Sequence, residues 1–163
     1  MKTAYIGIGS NLGDKRLNCL KAIKMIGQIP GCELTGRSDL YLTKPVGVKG
    51  QDWYVNGVAS ISAGITAQNL LKDLLAVEKH MGRVRREQWA PRIIDLDILV
   101  FGEEIISEEY LKVPHPLLHL RRFVFVPLAQ VAPDLIHPSL AVTISELLRK
   151  FQEDGHIVTP IKE

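Results

Sequence analysis

The 163-residue chain has only two cysteines, Cys19 and Cys32, and no CxxC pair. That leaves no thiolate metal cluster and reads as a reduced, cytoplasmic protein, although counting alone leaves one disulfide open. No apolar run approaches membrane-spanning length, and the start, MKTAYIGIGSNLGD, has its short apolar stretch broken by glycines, unlike a signal peptide. Net charge is only +2, too little for generic nucleic-acid binding, so any basic site must come from local clustering. The GxxxxGK[ST] loop, the protein-kinase signature set, the GxSxG elbow and a thiol–histidine pair are all missing, which excludes those routes to phosphate or acyl chemistry. With no internal repeat, low-complexity tract or linker, residues 1–163 read as one domain.

What is present is a globular composition, 46% hydrophobic and 23% charged. Residues 3–9 predict a strand. Asp14 predicts the N-cap of a helix with Leu17, Leu20, Ile23 and Ile26 at helical spacing, stopped by Gly27. Strands follow at 32–42 and 54–63, separated by a Pro/Gly loop. Thr66 predicts the cap of a second helix through Leu70, Leu74 and Met81, closed by Gly82. Residues 93–101, IIDLDILVF, form the strongest strand pattern, followed by a hairpin, the turn VPHPLLH, and helices near 121–131 and 143–151. The order βαββαβ predicts an α+β, ferredoxin-like sandwich with an antiparallel sheet and a C-terminal helical extension.

The 93–101 segment places Ile94, Leu96, Ile98 and Val100 on one face by strict alternation. Ile93, Asp95, Asp97, Leu99 and Phe101 fall on the other. Two carboxylates whose Cα atoms are about 6.5 Å apart on a greasy strand repel one another unless a cation compensates. Magnesium suits such a pair, since it takes one or two carboxylates plus substrate phosphate oxygens. A solvated polar patch is the plain reading of an isolated DxD motif. The flanking apolar residues and the arginines just upstream favour the metal.

Arg83, Arg85, Arg86 and Arg92 fall within ten positions, and guanidinium forks suit phosphate oxygens. Trp89 sits in the same loop and needs something to pack or stack on. Glu78 borders the apolar face of the second helix, where it either pairs with a loop arginine or meets a nucleotide. His115 and His119 have metal-ligand spacing, but Pro114 and Pro116 oppose a regular helix there. His115 reads as a phosphate contact and His119 as structural. The run from Gly7 to Gly13 imitates a dinucleotide fingerprint with its third glycine one place late, and reads as a strand-to-helix turn.

The run Trp89-Ala90-Pro91-Arg92-Ile93-Ile94-Asp95-Leu96-Asp97-Ile98-Leu99 resembles the signature of the 6-hydroxymethyl-7,8-dihydropterin pyrophosphokinases of folate biosynthesis. The resemblance extends through Gly9-Ser10-Asn11-Leu12-Gly13, Gly82-Arg83-Val84-Arg85, Val113-Pro114-His115-Pro116 and Arg121-Arg122-Phe123-Val124. It implies transfer of the β,γ-pyrophosphate of ATP to the hydroxymethyl group of the dihydropterin, with AMP leaving. Two magnesium ions are implied at Asp95 and Asp97, with Arg83, Arg92, Asp95 and Asp97 as the catalytic set. Glu78, Arg85, Trp89, Arg92, Ile98, His115 and Arg121 are implied on the ATP side. Thr43, Val46, Tyr54, Asn56, Asp95 and Phe123 are implied around the pterin, where Tyr54 and Phe123 resemble two stacking rings. Gln88 stands where a basic residue is usual, and Tyr110 and Lys112 replace nucleotide contacts of some members.

Two other classes compete. A ferredoxin-like nucleic-acid-binding sheet would carry stacking aromatics on its central strands, which this chain lacks in RNP-like form, and unmetallated Asp95 and Asp97 would repel phosphates. A metal-dependent nuclease would use the same carboxylates and need no pterin pocket. The resemblance implies ATP and a small pterin as partners, and the chain is expected to bind no nucleic acid and no membrane and to be a monomer.

Overall fold

The computed structural model describes residues 1–44, 52–83, 92–150 and 158–161. In chain order the elements are β1 (Lys2–Ser10), α1 (Lys15–Gly27), β2 (Cys32–Arg37), β3 (Tyr41–Thr43), β4 (Tyr54–Ala63), α2 (Ala67–His80) and β5 (Asp95–Phe101). The short strands β6 (Ile106–Ser107) and β7 (Lys112–Val113), a 3-10 turn (Leu118–Leu120), α3 (Arg122–Val131), α4 (Ile144–Lys150) and β8 (Val158–Pro160) follow. The main sheet runs β5-β1-β4-β3-β8, with β2 also paired to β4. Each of these pairings is antiparallel, so the molecule is an α+β protein with an antiparallel sheet.

Both predicted N-caps form. The Asp14 carboxylate accepts the Leu17 N–H at 3.1 Å, and the Thr66 hydroxyl accepts the Asn69 N–H at 3.1 Å. Each satisfies one of the donors that a helix start leaves open, an interaction whose loss costs about 1 kcal/mol. The helix ends differ. Gly27 does not stop α1 but lies in its last turn, with Gln28 as the cap residue. Gly82 adopts a φ of 94°, a left-handed value that only glycine takes without strain, and it ends α2 as expected.

The segment predicted as one strand over 32–42 is two strands. Between β2 and β3, Ser38 turns its hydroxyl onto the Val58 N–H at 2.9 Å, a side chain taking a backbone partner's place. The predicted strand over 93–101 starts only at Asp95, although Ile94 is fully buried. β8, which pairs with β3, was not foreseen.

Ala4, Ile6, Ile8, Ala59, Ile61, Leu96 and Ile98 pack on one sheet face against Ala22, Ile23 and Ile26 of α1 and Leu70 and Leu74 of α2. Burying each Ile or Leu side chain completely stabilises the fold by about 1.5–3 kcal/mol. A second core on the opposite face joins Tyr5, Val58, Leu99 and Val100 to Phe125 and Leu128 of α3 and Ile144 and Leu147 of α4.

The alternation expected for β5 fails at one place. Tyr5 pairs with Val100 and Ile6 with Ile98, so Leu99 is an extra residue opposite β1. This bulge resets the pleat. Val100 therefore joins Leu99 in the second core and Phe101 returns to the first, the reverse of the strict pattern. The carboxylates precede the bulge and keep the common face predicted for them.

Candidate active site

β5 is an edge strand, and side chains and loops close its open side. Glu78 of α2, itself buried, accepts the Leu96 N–H at 2.8 Å. The His115 N–H donates to the Leu99 carbonyl at 2.8 Å. These bonds occupy groups that an exposed edge would offer to another chain. They also fix the strand that carries Asp95 and Asp97.

The Glu78 oxygen that holds Leu96 also receives the Arg83 guanidinium at 2.7 Å. The same guanidinium nitrogen reaches Asp95 Oδ1 at 3.1 Å. Arg92 meets the other oxygen, Oδ2, at 3.1 Å. Arg92 is pinned in turn by Asn11, whose Oδ1 accepts the Arg92 N–H at 2.7 Å and whose own N–H donates to the Arg92 carbonyl at 3.0 Å. Asn11 belongs to a run read from sequence only as a turn, and its anchoring role was missed. Its buried polar side chain, with 2% exposure, leaves no trace in composition or periodicity.

Asp97 is in the opposite electrostatic situation. Among the described residues its carboxylate has no hydrogen bond or ion pair. Burial, then the negative charges of Asp95 and Glu78, push its pKa up to about 7, while Arg121 and Arg92 pull the other way. Among the described residues Asp95 thus has two guanidinium partners and Asp97 has none. A hard dication accepting oxygen ligands from both would relieve Asp97, so the donor set fits magnesium once phosphate oxygens complete the shell. The described residues contain no group of three or more His, Cys, Asp or Glu side chains able to hold a metal by themselves.

A row across the sheet connects this acidic corner to the expected pterin residues. Gly9 of β1 pairs with Asp95 on one side and with Asn56 on the other. A Cβ on Gly9 would lie 2.7 Å from Asn56 Nδ2 and 3.7 Å from the Tyr54 ring. The missing side chain therefore leaves a flat floor between an amide and a carboxylate. Asn56 is held by Thr43, whose hydroxyl donates to Asn56 Oδ1; Thr43 is nearly inaccessible, at 2% exposure. Tyr54 is half-buried and within electrostatic reach of Arg92, Asp95, Arg83 and Arg121.

Arg121 and Phe123 come from the start of α3, where the guanidinium carbon stands 5.6 Å from the Phe123 ring centroid. His115 lies close enough to feel both Arg121 and Asp95. Burial, then Arg121, lowers its pKa, so it is neutral near pH 7. Its Nδ1 accepts the Leu117 N–H at 3.1 Å, which leaves Nε2 as the donor.

Most expected residues thus gather on one side of the sheet. Ile98 does not: its side chain belongs to the first core, so any nucleotide contact there must come from its backbone. Glu78 is committed to Leu96 and Arg83 rather than open to a nucleotide. Val46, Arg85 and Trp89 lie outside the described residues. His119 faces His137, with ring centroids 6.0 Å apart, in keeping with its structural reading.

Residues 5–133 match the family described as 7,8-dihydro-6-hydroxymethylpterin-pyrophosphokinase. The chain is 39% identical over 155 residues to the 2-amino-4-hydroxy-6-hydroxymethyldihydropteridine pyrophosphokinase of Methylorubrum extorquens, covering 95% of this chain and 97% of that one. It is 42% identical over 153 residues to the protein of the same name from Haemophilus influenzae, covering 94% and 95%. The folic acid synthesis protein fol1 of Schizosaccharomyces pombe is 37% identical over 154 residues, which make up 21% of that longer chain. Among solved structures, the wild-type HPPK-DHPS of Plasmodium falciparum superposes with a TM-score of 0.74 at 15% identity. That match covers 93% of this chain and 44% of that one, so this chain spans less than half of that protein's length.

Proposed function

Because the chain belongs to the 7,8-dihydro-6-hydroxymethylpterin-pyrophosphokinase family, we propose that it transfers the β,γ-pyrophosphate of ATP to the hydroxymethyl group of 6-hydroxymethyl-7,8-dihydropterin in folate biosynthesis. The hydroxymethyl oxygen gives up its proton to solvent and forms a bond to the β-phosphorus, the bond from that phosphorus to the oxygen bridging it to the α-phosphate breaks, and AMP departs. The observation that carries this reading is the row Asp95–Gly9–Asn56. It sets a flat, amide-edged floor directly beside the only paired carboxylates of the strand.

The ring lies over Gly9 between Tyr54 and Phe123. Asn56 and backbone groups of Thr43 and Val46 bond its edge, and Asp95 borders it. Asp95 and Asp97 hold two magnesium ions, which supply positive charge against the triphosphate. Arg83 and Arg92 turn from Asp95 to phosphate oxygens as nucleotide binds, because a polyphosphate offers more negative charge than one carboxylate. Arg85, Trp89, His115 and Arg121 complete the nucleotide side. The neutral His115 donates through Nε2. Glu78 orients Arg83, and Ile98 contributes its backbone.

The sheet order supports a ferredoxin-like reading in which β2 and β3 together form the second strand of βαββαβ, extended by α3, α4 and β8. A single domain over 1–163, a monomer, a cytoplasmic location and no nucleic-acid partner complete the proposal. No described helix is long and apolar enough to cross a membrane.

Incubation with ATP, magnesium and hydroxymethyl-dihydropterin tests the reaction. AMP and the pterin diphosphate are the expected products. ADP as the sole nucleotide product would identify an ordinary kinase, and nucleic-acid cleavage a nuclease.

A further inference from the structure

Gln130, in the last turn of α3, makes a bridge that the reaction chemistry does not require. Its Oε1 accepts the Tyr41 hydroxyl at 2.8 Å and the Asp39 N–H at 2.9 Å. Its Nε2 donates to Asp39 Oδ2 at 2.8 Å. One exposed amide thus uses three of its bonding positions to tie α3 to the start of β3, across some ninety residues of sequence.

The two elements so joined carry opposite walls of the pterin site. Tyr41 pairs with Asn56, and Thr43 pairs with Tyr54, so β3 and β4 form the sheet wall. Phe123 precedes Gln130 by seven positions in the same helix. At 3.6 residues per turn, positions seven apart lie on one face, about 10.5 Å apart along the axis. The face that Gln130 presses onto Tyr41 is therefore the face that presents Phe123 two turns away. α3 packs against both β4 and β3, and Tyr54 lies within electrostatic reach of Arg121 at the start of the helix. Helix and strand run alongside each other, with the Gln130 bridge toward one end of the helix and Phe123 toward the other.

Pro127 sharpens the need for the clamp. It sits inside α3 and has no N–H to give the Phe123 carbonyl, so the ladder between the Phe123 turn and the Gln130 turn is interrupted. Packing, through the fully buried Phe125 and Leu128, and the Gln130 bridge both hold the helix's rotation on the sheet. A flat ring between two walls is sensitive to their spacing, since a radial gap of about 0.5–1 Å forfeits a quarter to a half of the dispersion well.

We propose that Gln130 is a positioning residue that sets the distance of Phe123 from the Tyr54–Asn56 floor, and so the affinity for the pterin but not for ATP. This rests on the proposed function. Steady-state kinetics at a temperature well below melting test it with Gln130→Ala, Gln130→Glu and the double variant Gln130→Glu/Asp39→Asn. Gln130→Ala should raise the pterin KM about fivefold, the scale of a lost hydrogen bond, with the ATP KM and kcat within twofold of the parent. Gln130→Glu sets a carboxylate against Asp39 and should do the same. Adding Asp39→Asn reverses donor and acceptor, rebuilds the bridge and should return the pterin KM to its starting value. An unchanged pterin KM in Gln130→Ala, a loss of activity shared equally by both substrates, or no rescue in the double variant would overturn the proposal. A parent protein that forms no AMP with the pterin overturns the reaction instead, so the two failures are distinct.

Discussion

The Glu78 carboxylate and the Leu96 amide meet at 2.8 Å across the open edge of the sheet. The same oxygen holds Arg83 at 2.7 Å, with the two side chains 4% and 12% exposed. One buried charge therefore sets both the edge of β5 and the direction of a site arginine. Glu78→Ala leaves the buried Leu96 N–H without that acceptor and Arg83 with Asp95 as its remaining ion-pair partner among the described residues, which should cost about 1–3 kcal/mol. Chemical denaturation measures it. A loss below about 1 kcal/mol would show that water or another residue takes over the acceptor role.

Asp97 predicts an unusual pH dependence of stability in the metal-free protein. Its carboxyl ionises near 3.8 when unperturbed but only at about 7 in the fold. The folded state therefore binds more protons between those values. The stability linked to this group is full below the unfolded pKa and is lost as pH rises through the folded one. Asp97→Asn should remove that loss, with the variant gaining on the parent between pH 4 and pH 8 by about 2–4 kcal/mol. Denaturation in the presence of a chelator at several pH values checks this. A difference that does not grow with pH contradicts the assignment.

Magnesium should stabilise the parent through the same group. Chelation should abolish AMP formation, and added magnesium restore it. Asp97→Ala should lower kcat by about 30- to 1000-fold at saturating magnesium, matching a loss of 2–4 kcal/mol of transition-state stabilisation, while leaving the fold intact. Full activity in that variant would remove Asp97 from the metal site.

Gly9→Ala isolates the floor of the site. The new Cβ would sit 2.7 Å from Asn56 Nδ2, closer than side-chain carbons approach, so the amide must move from its hydrogen bond with Thr43. The pterin KM should rise about tenfold or more, with the ATP KM little changed. A titration following the ring's own absorbance or fluorescence reads this directly. Unchanged pterin binding would mean that the ring lies elsewhere.

Arg92→Ala should depress kcat more than pterin affinity, because a guanidinium serving phosphate charge acts mainly in the transition state. Comparison of kcat with the two KM values settles it, and an unaltered kcat removes Arg92 from the catalytic set.

Much of the architecture was legible in order because its signals are local. Asp14 and Thr66 cap their helices as read, since an N-cap needs only residues within one turn. Asp95 and Asp97 share a face because two-residue alternation holds over so short a span. The pattern broke where the cause was remote. The Leu99 bulge arises from the pairing of β5 with β1, and it moved Val100 and Phe101 to faces that alternation could not foretell. The break between β2 and β3 falls where the Ser38 hydroxyl meets the Val58 N–H, a partner far away in sequence.

Sequence alone determined the residue types: paired carboxylates, clustered arginines, glycines in β1 and the two helix starts, all set by neighbours within a few positions. Tertiary structure decided which charge is neutralised and which is not. Asp95 is held by two arginines while Asp97, on the same face, has no such partner among the described residues. It also decided that Asn11 anchors Arg92 and that Gln130 joins α3 to β3. Such pairings depend on distances between segments far apart in the chain, and those distances exist only once both cores have packed.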